Sequence, residues 1–205
     1  AAESKGEYLL MLNNDTEVIT PDWIERLIGH AQREDVGAVG CRLYYPNKWV
    51  QHAGVVLGLG AEHGGVAGHA LHTHERTADD FAEIFVESTR DVMAVTAACL
   101  MVSKKKYDEV GGFDPLLRVT FNDVDLCLKL TKSGYKSVYV PYVELYHHES
   151  LSVGKGATRD SIELQEAARL MQKRWKHEIA RDPYYNDNLT KIDGFYMYKQ
   201  YRELK

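Results

Sequence analysis

Five consecutive apolar residues, Tyr8 to Leu12 (YLLML), stop abruptly at Asn13-Asn14-Asp15-Thr16. A short, unbroken apolar run suits a strand covered on both faces, as in a buried parallel sheet, rather than one with a wet face. A sheet of that kind needs helices on both sides, so this stretch commits the chain to an α/β fold. Ligand sites of open α/β sheets lie at the carboxyl ends of the strands, which gives the polar burst a functional reading. The plainer reading, that Asp15 or Thr16 caps or turns the chain, has equal standing on this stretch alone.

The elements that follow keep the same character. Thr20 and Pro21 read as N-cap and first residue of a helix running to Arg33, with Ile24, Leu27 and Ile28 on its apolar face. Val36 to Leu43 and Val50 to Leu59 read as strands around a turn at Tyr45-Pro46-Asn47-Lys48. Glycines crowd together from Gly54 to Leu71, with His63, His69, His72 and His74 among or after them. A surface loop beside a substrate cleft accounts for them better than a zinc site, because the spacing fits no common zinc template. Thr77 to Phe85 suits a short helix. Arg90 to Val102 reads as one long buried strand, whose Thr96, Ala97 and Ala98 would let a ligand or a neighbouring backbone come close. Ser103 to Val110 is a helical turn or two, ended by Gly111-Gly112.

The stretch from Val119 to Gly154 carries the most chemistry. Asn122, Asp123 and Asp125 stand at the mouth of an amphipathic segment, where Asp123 or Asp125 can cap a helix that stops at Gly134. An apolar strand interrupted by Pro141 then delivers His147 and His148. Gly154 and Gly156 mark a joint. A helix opening at Asp160 places Leu164, Ala168, Met171 and Trp175 on one face. The aromatic-rich tail beyond Pro183 is expected to pack back as a strap. The expected organisation is therefore 1–155 as the main catalytic and acceptor part, and 156–205 as a C-terminal helix and tail packed on it.

Bulk properties exclude several classes. A chain of 205 residues, 44% hydrophobic and 27% charged, fits one globular domain with a substantial core. A net charge of −5 argues against a nucleic-acid binder. Cys41, Cys99 and Cys127 stand singly in apolar runs, as buried free thiols of a reducing compartment would. No run approaches the ~20 apolar residues of a membrane span, and no signal peptide is visible. The expected location is cytoplasmic, or peripheral at the inner face of the membrane.

Asn13, Asn14 and Asp15 at a strand end offer hard oxygen ligands, which suit Mg²⁺ or Mn²⁺ better than zinc. His147 could complete such a shell, and Asp123 across a cleft would be free to act as a general base. A metal holding a diphosphate leaving group, with a carboxylate deprotonating an incoming hydroxyl, describes glycosyl or phosphoryl transfer.

The motifs YLLMLNNDTEV, QHAGVVLG with GGVAGHA, TAACLMVSKKKYDEVGGFDP, FNDVDLCLKLTKSGYKSVYVPYVELYHHES and WKHEIARDPYYNDNL occur in that order. Together they resemble the inverting family 2 glycosyltransferases, in particular the bacterial rhamnosyltransferase-like branch that assembles surface polysaccharides. The resemblance covers nearly the whole chain. It implies a GT-A fold, with a mixed, mostly parallel sheet flanked by helices and a C-terminal helix. It also implies a nucleotide-sugar donor (UDP- or dTDP-linked), a saccharide or lipid-linked saccharide acceptor, and a divalent cation. Asn13-Asn14-Asp15 occupies the place of the family's DxD motif, with Asp15 as its surviving carboxylate. Asn122-Asp123 stands where most members have Glu-Asp, making Asp123 the implied base. His147, or His148 with the register displaced by one, matches a further metal contact, and Gly111-Gly112 lies where donor and acceptor sugars approach.

In that family a nucleotide-binding half precedes the metal motif, and nothing in this chain corresponds to it. The resemblance thus implies a C-terminal portion of a transferase, with the missing N-terminal half as its partner and weak or absent turnover alone. Two other readings stand beside the transferase. Asn13 and Asn122, departing from the family pattern, motivate a non-catalytic sugar-binding or partner-binding module. Asp15 and Asp123 could also serve a metal-dependent phosphoryl transferase or hydrolase.

Overall fold

The computed structural model describes residues 1–59, 65–70, 83–148, 162–192 and 196–199. His63, His72, His74, the joint at Gly154 and Gly156, and the helix start at Asp160 lie outside the described residues. The strands are β1 (Tyr8–Leu12), β2 (Thr16–Val18), β3 (Val36–Tyr44), β4 (Val50–His52), β5 (Val55–Leu57), β6 (Ala67–His69), β7 (Arg90–Val92), β8 (Cys99–Ser103) and β9 (Lys136–His147). The helices are α1 (Trp23–Ala31), α2 (Glu83–Glu87), α3 (Lys104–Glu109), α4 (Asn122–Lys132), α5 (Ile162–Arg174) and α6 (Lys176–Ala180). A seven-stranded sheet runs β1-β8-β3-β9-β2, with β4 added on β3 and β7 on β9; β5 and β6 form a separate hairpin.

Helices cover both faces of the sheet. Leu27 and Ala31 of α1 pack on Val39, Cys41, Leu43, Met101, Val138 and Leu145. On the other face Leu126, Leu128 and Leu130 of α4 join Ala38, Leu100, Val102 and Tyr139. Strand residues alternate between these clusters because neighbouring side chains leave a strand on opposite faces. Met171 and Trp175 at the end of α5, and Tyr185, Leu189 and Tyr196 of the tail, are buried in the α4-side core. Cys41, Cys99 and Cys127 are buried free thiols.

The sheet is mixed, but the expected parallel majority is corrected. Among the described residues only β3 and β9 pair in parallel; β1, β2, β4, β7 and β8 all join antiparallel. YLLML is also less covered than expected: β1 is the edge strand beyond β8, where only Leu9 is buried and Leu12 is exposed. The single strand expected over Arg90 to Val102 is two strands. Residues 93–98 leave the ladder and cross the sheet, where Val95 packs so closely over Gly40 that a Cβ there would sit 2.5 Å from Val95 Cβ. Val50 to Leu59 is likewise divided between β4 and β5.

Two helix starts also differ from expectation. The residue before α1 is Asp22, and the Thr20 hydroxyl instead accepts from the Glu144 amide at 3.0 Å. The residue before α4 is Phe121, in left-handed conformation with φ 62°. Neither Asp123 nor Asp125 occupies that cap position, because both have tertiary partners.

The register of β3 on β9 jumps between Cys41↔Val140 and Arg42↔Glu144. The extra residues on β9 begin at Pro141, which cannot donate to a ladder and so suits a bulge. Buried Arg42 fills the gap. It donates to the Pro141 carbonyl from Nε at 3.0 Å and Nη2 at 2.7 Å, and to Glu87 at 2.6 Å and 3.0 Å. Burial is the largest influence and opposes the Arg42 charge, but Glu87, Tyr139 and Tyr44 together outweigh it and hold the guanidinium above its ordinary pKa. Past this plug β9 resumes, pairing Leu145, Tyr146 and His147 with Val18, Glu17 and Thr16. Among the described residues no helix is long and apolar enough to cross a membrane.

Candidate active site

The β2–β9 pairing sets His147 beside the turn that follows β1. His147 Nε2 lies 3.0 Å from Asn13 Nδ2 and 3.2 Å from Asp15 Oδ1. On the other side of the ring, Nδ1 is 2.7 Å from Gln51 Oε1. The Asp15 side chain is only 9% exposed, and its Oδ1 is buried without a hydrogen-bond partner. His148 turns elsewhere: its ring meets Glu17 Oε2 at 3.1 Å, and its amide donates to the Asp15 carbonyl at 2.9 Å. Asn14 is exposed on the turn. The structure thus gathers Asn13, Asp15 and His147, and leaves His148 and Asn14 at the edge.

The second acidic station lies at the start of α4. Asp123 Oδ2 accepts the Ala97 amide at 3.0 Å, and Oδ1 accepts the Val124 amide at 2.8 Å. Asn122 Oδ1 accepts the Asp123 amide at 2.7 Å. These side chains satisfy N–H groups that the first turn of a helix leaves without intrahelical partners. The 96–98 segment ties the two stations together, since the Ala98 carbonyl also accepts the Asn13 amide at 3.0 Å. Thr96, Ala98, Asn13, Gln51, His69 and His147 line one pocket of ≈ 120 Å³. The small side chains of 96–98 therefore allow a close backbone approach and leave room for the pocket.

Asp125 is fully buried and faces away from that pocket's lining. It takes the Trp175 indole N–H at 2.8 Å and Arg174 Nη1 at 2.7 Å, with Lys129 Nζ at 3.1 Å. Arg174 also reaches Asp114 at 2.6 Å. This clamp fixes the end of α5 to the helix that carries Asp123, and it went unread in the sequence because its members are 49 and 60 positions apart. Gly111 and Gly112 close α3, donating to the Asp108 and Tyr107 carbonyls; neither lines the pocket. A wider groove of ≈ 460 Å³ runs between Leu116, Arg118, Val119 and Thr120 and the Glu163–Leu170 side of α5, next to the start of α4.

Buried His52 sits behind the pocket, against the half-buried His69 that lines it. His52 Nδ1 and His69 Nδ1 are 2.9 Å apart. Burial, then the neighbouring His69, Arg90 and His147, push His52 well below the ordinary imidazole range. Burial likewise pushes the Cys127 thiol up to about 12, so it stays protonated.

A divalent cation fits the first station in part. Among the described residues no three His, Cys, Asp or Glu side chains gather as a metal cage. Mg²⁺ in nucleotide sites is commonly held by one or two carboxylates with substrate phosphates completing the shell. The buried, unpartnered Asp15 oxygen is the feature such an ion would satisfy. It lies 3.2 Å from His147 Nε2, so the two atoms would be the ones to hold the ion.

A mixed sheet covered by helices on both faces, with polar stations at a strand end and a helix start, places the chain in the GT-A class of α/β folds. A solved structure of GalNAc-T7 with UDP, GalNAc and Mn²⁺ superimposes with a TM-score of 0.62 at 14% identity, covering 87% of this chain and 35% of that one. The chain belongs to the glycosyltransferase-like family 2, whose profile matches residues 3–175. It is 44% identical over 193 residues to the uncharacterized protein y4gI of Sinorhizobium fredii, covering 92% of this chain and 20% of that protein. It is 39% identical over 191 residues to the O-antigen biosynthesis protein RfbC of Myxococcus xanthus, covering 93% and 14%. A 68-residue stretch is 41% identical to N-acetylglucosaminyl-diphospho-decaprenol L-rhamnosyltransferase of Mycobacterium tuberculosis, covering 33% and 22%. The chain thus spans about a fifth or less of the first two relatives' length.

Proposed function

We propose that this chain forms the catalytic and acceptor side of an inverting glycosyltransferase. It would move a sugar from a UDP- or dTDP-linked donor to a saccharide or lipid-linked saccharide acceptor in surface polysaccharide synthesis, at the cytoplasmic face of the membrane. The observation that carries this reading is the 96–98 bridge, which holds Asp123 and the Asn13–Asp15–His147 station on either side of one small segment.

In this reading Asp15 and His147 hold a Mg²⁺ or Mn²⁺ ion, with Asn13 beside them. When bound, the ion would stabilise charge on the departing nucleoside diphosphate. Asp123 accepts the proton of the acceptor hydroxyl, and the Ala97 and Val124 amides hold its carboxylate in place. Asn122 holds the first turn of that helix. The groove beside Leu116–Thr120 is the approach for the acceptor, and Gly111-Gly112 sets the turn behind it.

The test is nucleoside diphosphate release by the full-length protein, compared with Asp123→Asn. A general base contributes ~10²–10⁴-fold, so turnover should fall by that range while donor binding persists. Unchanged turnover would remove Asp123 from the mechanism. Release of free phosphate from simple esters would favour the hydrolase instead. Sugar binding without turnover in the wild type would leave a binding module.

A further inference from the structure

Gln51 is a buried amide on β4 with no role in the chemistry above. Both ends of its side chain are engaged by one residue, which fixes its orientation. Nε2 donates to the His147 backbone carbonyl at 3.2 Å, and that carbonyl can only accept. The NH₂ group must therefore face it, and Oε1 must be the atom 2.7 Å from His147 Nδ1. An amide oxygen only accepts, so Nδ1 must carry a proton. In the neutral ring this leaves the lone pair on Nε2, the nitrogen facing Asn13 Nδ2 and the buried, unpartnered Asp15 Oδ1.

We propose that Gln51 is a positioning residue that fixes the tautomer and plane of His147, presenting the Nε2 lone pair to the Asp15 oxygen as the second ligand of the cation site. The proposal rests on the metal reading of Asp15 and His147 given above. Its logic is that of outer-shell partners generally: a ligating imidazole is aimed by what its other nitrogen touches. Gln51 suits the task because it grips the backbone and the ring of the same residue. The ring can neither flip nor exchange tautomers without breaking a bond at one end. In the metal-free protein the Asn13 amide N–H takes the Nε2 lone pair at 3.0 Å and so favours the same tautomer from the opposite side, and a bound cation would take that contact's place.

The experiment is ¹⁵N–¹H correlation of the histidine ring nitrogens, above the ordinary imidazole pKa of ~6.5, together with Mn²⁺ titration calorimetry. The wild-type protein, Gln51→Leu and Gln51→Glu are compared. In the wild type the His147 proton should reside on Nδ1. Gln51→Leu should let it redistribute toward Nε2 and weaken Mn²⁺ binding ~10-fold or more, the usual effect of losing an outer-shell partner. Gln51→Glu keeps an acceptor oxygen at Nδ1 and should restore the Nδ1–H tautomer.

A wild-type proton on Nε2 overturns the proposal, and that measurement needs no variant to fold. So does a tautomer that Gln51→Leu leaves unchanged. An Nδ1–H wild type that redistributes in Gln51→Leu, with no Mn²⁺ bound to either, supports Gln51's hold on the ring. That outcome removes the metal reading on its own.

Discussion

The two carboxylates proposed to do the chemistry are held in opposite ways. Asp123 has both oxygens occupied by backbone amides, from Ala97 and Val124. Asp15 is nine-tenths buried, yet its Oδ1 accepts nothing. A base must be aimed before its substrate arrives, and hydrogen bonds on each oxygen do that. A buried carboxylate oxygen without a donor costs ~1–3 kcal/mol of unmet desolvation, a penalty that an incoming cation would relieve. The second station, at Asp123, is finished by the fold, and the first, at Asp15, is left for a ligand to finish. The supports differ too: Asp123 stands on a helix clamped by α5, while Asp15 stands on a turn closed by the end of β9.

This contrast can be broken most sharply at the clamp. Asp125 is fully buried against Arg174, Trp175 and Lys129. Asp125→Ala would leave the indole N–H and a half-buried guanidinium without their acceptor, so we expect a loss of ~3–5 kcal/mol, the usual cost of halving a buried pair. Urea unfolding measures it. A loss under ~1 kcal/mol would mean that the clamp does not hold α4. Next in size is Asp123→Ala, which strands two amides and should cost ~1–3 kcal/mol in the same assay. Asp123→Asn keeps one acceptor and should cost less, separating the residue's chemistry from its structural duty.

Much of this could be read from the chain, and the failures have physical causes. The elements were legible where an apolar run, a glycine stop or an amphipathic pattern marked them, as in β3, α3 and α4. The polar residues after YLLML and at the start of α4 stood out because acids and amides are unusual next to such apolar runs. Strand direction was not legible, because an apolar run such as β8 reports cover, which parallel and antiparallel sheets share. The break at 93–98 was hidden inside RDVMAVTAACLMV, which is apolar throughout; only tertiary packing over Gly40 shows that Val95 leaves the ladder. Gln51 and Arg42 were invisible for a third reason. Each looks like an ordinary polar residue in a strand, and its partner, His147 or the Pro141 carbonyl, is 96 or 99 positions away.

The histidines behind the pocket give a smaller effect with a definite sign. His52 is buried and neutral, with its folded pKa well below the ordinary value. The unfolded chain therefore binds more protons as pH drops below ~6.5, and stability should fall by up to ~1.4 kcal/mol per pH unit in that window. His30 shifts the same way, through burial and then Arg33, but it is only half-buried on α1 and contributes less. Asp182, whose pKa is raised by burial, acts oppositely: its contribution is present at low pH and lost as pH rises through its folded pKa. Unfolding measured from pH 7 to pH 5 should show the acid loss in the wild type and a flatter profile in His52→Gln. Equal slopes would show that His52 is not the group responsible.

The smallest stability effect is expected at Asp15, and it is the most informative about the comparison. If Oδ1 is unmet in the metal-free protein, Asp15→Ala removes a penalty along with a contact. Stability without metal should then move by no more than ~0.5 kcal/mol, as for substitutions that break no network. With Mn²⁺ present the two proteins should diverge. A ligand that binds only the folded state at a hundred times its Kd adds ~2.7 kcal/mol, and the wild type should gain that margin while Asp15→Ala gains none. Thermal unfolding with and without Mn²⁺ reads both quantities in one series. A metal-free loss comparable to that of Asp123→Ala would mean that Asp15 is already partnered by the fold, most directly by a protonated His147. The two stations would then differ in their partners rather than in whether the fold completes them, and the case for a cation at the end of β1 would lose its physical basis.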